Sequence, residues 1–84
     1  MSRADFEHLE DLGHGVAVER MYIDGQLEGL AFFHGDCESY IPLKPANADG
    51  WTVESLDPLQ LSPSLLCRSC GNHGFIRGGK WIPV

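Results

Sequence analysis

Cys67-Arg-Ser-Cys70-Gly-Asn-His73-Gly-Phe-Ile-Arg77-Gly-Gly-Lys80-Trp81-Ile82 is the stretch that decides the fold. Its second half reads as a hairpin. Phe75-Ile76-Arg77 and Lys80-Trp81-Ile82 flank Gly78-Gly79, a two-residue loop that takes positive φ at both positions without a steric penalty. That loop sets Ile76 opposite Trp81, a favourable cross-strand pair, and Arg77 opposite Lys80, two like charges face to face. Its first half is a C-x-x-C turn followed by a histidine. One such turn aims two thiolates at a single ion, and Gly71 frees the backbone just after the second sulfur.

A second turn of the same kind lies about thirty residues upstream, at His34-Gly-Asp-Cys37. Two short turns, each with ligands three residues apart, are what a structural zinc site requires. Five residues compete for four tetrahedral places: Cys37, Cys67, Cys70, His73 and His34. The favoured set takes Cys37, Cys70 and His73, with His34 or Cys67 completing it, a choice that spacing leaves open. A full complement of donors favours a closed structural site over one that keeps a place for water. Glu38, beside Cys37, reads as a solvated rim residue. His8 and His14 are expected to face solvent.

A metal matters here because the chain has only 84 residues. Chains of this size bury only about 60% of their unfolded surface and usually need a disulfide, metal or partner to be stable. Three cysteines cannot all pair within one chain. Arg3, Asp5, Glu7, Glu10 and Asp11 break any apolar leader, and no run approaches the roughly 20 apolar residues of a membrane span. These features lead us to expect a single domain over residues 1–84 in a reducing cytoplasm, with Zn2+ bound and no membrane association.

Working back along the chain, residues 2–12 have the pattern of a short helix. Ser2 can cap it, with Asp5 in the capping-box position, Phe6, Leu9 and Leu12 at helical spacing, and Gly13 as a stop. Residues 15–22 then alternate as a strand, Asp24-Gly25 turns the chain, and residues 27–33 return. Tyr40 to Leu43 is a strand with Pro42 marking an edge. Pro45 to Gly50 is a loop, Trp51 to Ser55 a strand, and Ser62-Pro63-Ser64 a bulge leading into the second knuckle. The expected class is mainly β (α+β), a small zinc-stapled antiparallel β domain with a short N-terminal helix.

The net charge of −6 is unevenly spread. All twelve carboxylates lie between Asp5 and Asp57, against Arg3, Arg20 and Lys44. Residues 58–84 carry Arg68, Arg77 and Lys80 and no acid. Those cations and Trp81 form a candidate binding tip able to touch a phosphate or stack on a base. The acidity of the whole chain counts against nucleic acid as the partner. No Ser-His-Asp order, phosphate-cradling loop or H-E-x-x-H pattern occurs.

The stretch from Leu61 to Trp81 resembles a family of small phage and bacterial zinc-binding proteins, frequent in phages of actinobacteria. Its pattern is a C-x-x-C-like knuckle, a Trp-containing strand, a T-[LF]-S-P-S-[ILV] segment, then Cys, His-[SGF]-F-[IV] and an Arg/Gly turn. Trp51, the Leu61–Leu65 segment, Cys70, His73, Phe75 and Gly79 match it. The resemblance spans about residues 30–82 and leaves residues 1–29 outside. Where the family often opens its first knuckle with cysteine, this chain has His34, an exchange that either preserves zinc ligation or marks a non-ligand. The resemblance implies zinc and a phage origin, and no activity.

Taken together, the expected function is a non-catalytic zinc-binding module, zinc ribbon-like in character, that binds another protein in the cytoplasm, the host's if the chain is phage-encoded. The competing expectations are an acidic inhibitor that imitates nucleic acid, a zinc-knuckle nucleic-acid binder, and a hydrolase with an open zinc site.

Overall fold

The computed structural model describes residues 8–84, and every element among them is a strand. A four-stranded antiparallel meander comes first: β1 (Glu10–Gly13), β2 (Val16–Ile23), β3 (Gln26–His34) and β4 (Cys37–Pro42). A two-stranded ribbon follows, β5 (Thr52–Leu56) with β6 (Leu59–Ser62). A three-stranded sheet, β7 (Leu65–Leu66), β8 (His73–Arg77) and β9 (Lys80–Pro83), ends the chain.

The expected helix at residues 2–12 is corrected where the structure describes it. Glu10–Gly13 is strand β1, so the class is all-β among the described residues rather than α+β. Residues 2–7 of that expectation lie outside the described residues. The physical reason is tertiary. So short a helix is marginal on its own, whereas Glu10 and Asp11 pair in register with Val18 and Ala17 of a long strand. Arg20 fixes the pairing with two bonds to the Glu10 carboxylate, at 2.9 and 3.0 Å. The Asp11 carboxylate accepts the Gly13 amide at 2.9 Å and starts the turn into β2.

The predicted hairpins are present. Asp24-Gly25 joins β2 to β3, with Ile23 opposite Gln26. Gly78 and Gly79, at φ 58° and 74°, join β8 to β9, with Ile76 opposite Trp81 and Arg77 opposite Lys80. Part of the like-charge conflict is relieved by Arg77, whose guanidinium lies 4.6 Å from the centre of the Phe75 ring on the same face. Pro42 ends β4, which pairs only with β3 in its sheet, as an edge position requires.

One apolar cluster draws on all three sheets. Leu12, Val16, Val18, Leu30, Phe32 and Ile41 from the meander meet Leu59, Leu61, Leu65, Ile76 and Trp81. Trp81 is the largest fully buried side chain, with its ring centre 5.4 Å from that of Phe32. Backbone bonds join the pieces: Gly79 donates to Leu59 at 2.9 Å, Trp51 to Pro42 at 2.9 Å, and Leu43 to Glu28 at 2.9 Å. The second half of β3, from Leu30 to His34, is buried throughout, so the strand delivers His34 to the interior edge of this core.

Candidate metal centre

Two turns build the site. In the first, His34 closes β3 and Cys37 opens β4, with only Gly35 and Asp36 between them. Gly35 supplies the positive φ, 59°, that so tight a turn demands. His34 and Cys37 are direct partners in the ladder, so both side chains leave the same face of the meander.

The second turn links β7 to β8. The Gly71 amide donates to the Cys67 carbonyl at 2.7 Å, and the Cys67 amide to the Asn72 carbonyl at 2.9 Å. The amides of Cys70 and Ser69 point at the Cys67 sulfur. The loop thus wraps its own first sulfur in backbone donors and leaves the second, on Cys70, near the surface.

The turns face each other. One donor atom from each of His34, Cys37, Cys67 and Cys70 lies within 4.8 Å of all the others. Cys37 Sγ is 3.5 Å from Cys67 Sγ, and Cys70 Sγ is 3.2 Å from His34 Nδ1. The sulfurs of a zinc tetrahedron with bonds of about 2.3 Å stand about 3.8 Å apart. A disulfide would need about 2.05 Å, and all three cysteines are free. The spacing therefore suits a shared cation and not a cross-link.

The electrostatics agree. Hydrogen bonds from the Cys70 and Ser69 amides hold the Cys67 thiol below its ordinary range, against the opposing effect of burial. Cys37 is pushed up to about 11, first by its hydrogen bond to Cys67, then by desolvation and by repulsion from the neighbouring sulfurs. Of this pair, Cys67 gives up its proton more readily than Cys37. A divalent ion would reverse that preference at Cys37, because it supplies the positive charge that crowded sulfurs lack. Burial lowers the His34 pKa and so favours the neutral imidazole that metals bind.

His34 is positioned by packing. Its ring centre is 4.7 Å from that of Phe32, and its Nε2 is buried without a hydrogen-bond partner among the described residues.

His73 stands outside the group. It lies on β8, and its Nε2 is 3.0 Å from Ser64 Oγ. The favoured set of Cys37, Cys70 and His73 is corrected accordingly: His34 and Cys67 both join Cys37 and Cys70. Trp81, expected at an exposed tip, is 2% exposed and belongs to the core, while Arg68, Arg77 and Lys80 are exposed. His8 and His14 are exposed as expected. In the sequence, Ser64 reads only as part of a bulge. Its hydroxyl meets His73 and its carbonyl accepts the Trp51 indole N–H at 3.1 Å, a role that no sequence spacing encodes.

Comparison with family models, curated proteins and solved structures returns no match. Among the described residues, no helix is long and apolar enough to cross a membrane.

Proposed function

We propose that the chain is a non-catalytic, zinc-stapled β domain that works by binding another protein in the cytoplasm. The supporting observation is the convergence of His34, Cys37, Cys67 and Cys70 from two turns about thirty residues apart. Three thiolates and an imidazole gathered within 4.8 Å of one another favour zinc over harder cations. Four side-chain donors fill the shell, which argues against a zinc-bound water and for a structural role.

The site clamps the end of the meander to the C-terminal sheet. Such a link adds to the stability of a core assembled from short strands, and its binding energy is folding energy. The Ser62-Pro63-Ser64 and His73-to-Arg77 elements support kinship with the phage and bacterial family that they resemble. The nucleic-acid reading loses its stacking residue, because Trp81 is buried.

The test is metal analysis of freshly purified, reduced protein, followed by circular dichroism during titration with a chelator. About one zinc per chain, and loss of the fold when it is withdrawn, are expected. A chain that carries no metal and folds equally well in chelator would refute the proposal.

A further inference from the structure

The outer face of the C-terminal sheet combines exposed apolar side chains with exposed cations. Ladder partners share a face, so Phe75 lies beside Ile82 and Arg77 beside Lys80. Leu66 lies on the same side, opposite His73. Leu66 is 56% exposed and Ile82 43%. The inner positions of the same strands, Leu65, Ile76 and Trp81, are buried, which leaves these residues as a separate outward set. Among the described residues, neither Arg77 nor Lys80 forms an ion pair. No acid occurs from Pro58 to the last residue, so the three strands supply none of their own.

We infer that this face is a docking surface for an acidic, apolar peptide segment of a partner protein. The inference rests on the protein-binding reading above and names its surface and partner chemistry. The apolar row of Leu66, Phe75 and Ile82 gives area. The guanidinium seated on Phe75 makes an Arg–aromatic platform of the kind that anchors interfaces. Arg77 and Lys80, at the turn, select carboxylates.

Charge range separates a short segment from a larger polyanion. The molecule measures 30 × 27 × 23 Å, whereas exposed charges are screened beyond about 8 Å at physiological salt. A short acidic segment confined to this face feels the local cations. An anionic membrane or a nucleic acid extends past the face and meets the acid-rich remainder of a chain whose net charge is −6. The metal centre supports the face directly, because the Cys67–Cys70 turn joins β7 to β8.

The test is selection of random peptides by display against the full, zinc-loaded chain, followed by titration of the enriched peptides. Enrichment of Glu or Asp alternating with Leu, Ile or Phe is expected. Binding should weaken about tenfold in Arg77→Glu/Lys80→Glu and with added salt, and also in Ile82→Ser. Zinc content and amide NMR spectra of each variant must match the parent, which separates failure of this surface from failure of the metal staple. No enrichment, a neutral or basic consensus, or binding untouched by the charge reversal would overturn the inference. So would tighter binding of the same face to phosphatidylserine vesicles or to single-stranded DNA.

Discussion

Replacing Gly74 by alanine should destabilise the protein by steric conflict alone. Gly74 sits in β8 between Leu65 and Pro83 of its neighbours, with the Trp81 ring laid across it. A Cβ there would lie 2.6 Å from the Ile82 carbonyl oxygen and 2.6 and 2.8 Å from two carbons of the indole. Ordinary contacts begin near 3.4 Å, so strand and ring must each give by most of an ångström. Neither moves freely, since one is ladder backbone and the other is the 2% exposed centre of the core. Overpacking costs about 1–3 kcal/mol, and with two rigid neighbours displaced at once the upper part of that range, about 2–3 kcal/mol, applies. The opposing gain from removing a flexible glycine from the unfolded chain is about 0.4–1 kcal/mol, so the clash prevails. For a domain of this length each kcal/mol moves Tm by about 4–8 °C, which predicts a drop of roughly 4–20 °C. Near-ultraviolet circular dichroism of the zinc-loaded protein reads it through the tryptophan bands. An unchanged or raised Tm would refute the packing described around Trp81.

At the metal centre, His34→Ala should weaken zinc affinity by about 10²–10³-fold, one ligand's share of a site worth about 10–16 kcal/mol. His34→Cys should keep a full equivalent, whereas His73→Ala should leave stoichiometry unchanged; a metal assay with a competing chelator distinguishes all three. Acid should destabilise the zinc-loaded protein. The His34 pKa is lowered in the folded state, so the unfolded chain binds more protons as pH falls below about 6.5, and protons also compete with the metal. Tm should therefore fall as pH drops from 7 to 5, and a flat profile would contradict His34 as a buried neutral ligand. Trp51→Phe removes the indole bond to the Ser64 carbonyl and should cost about 1–2 kcal/mol in denaturant unfolding.

Much of this architecture was legible in local chemistry. Asp24-Gly25 and Gly78-Gly79 allow few backbone shapes, and the register they impose is enough to set Ile76 against Trp81. The same register also separates the members of the expected binding tip. Trp81 pairs with Ile76 and Lys80 with Arg77, so the indole and the cations must occupy opposite faces. The N-terminal segment was ambiguous because Leu9 and Leu12 fit a helical spacing, whereas β1 depends on Arg20 meeting Glu10 ten residues earlier. The two knuckles could be recognised as ligand-bearing turns. Which of the five donors converge was not legible, because that depends on strand parity and on Ser64, nine residues from His73, facing that imidazole.

X-ray absorption at the zinc edge, on freshly purified and reduced protein, tests the central claim most directly. The account predicts one zinc surrounded by three sulfurs at about 2.3 Å and one nitrogen at about 2.0–2.1 Å. A shell of two sulfurs and two nitrogens, a bound water in the fourth place, or no zinc at all would contradict it.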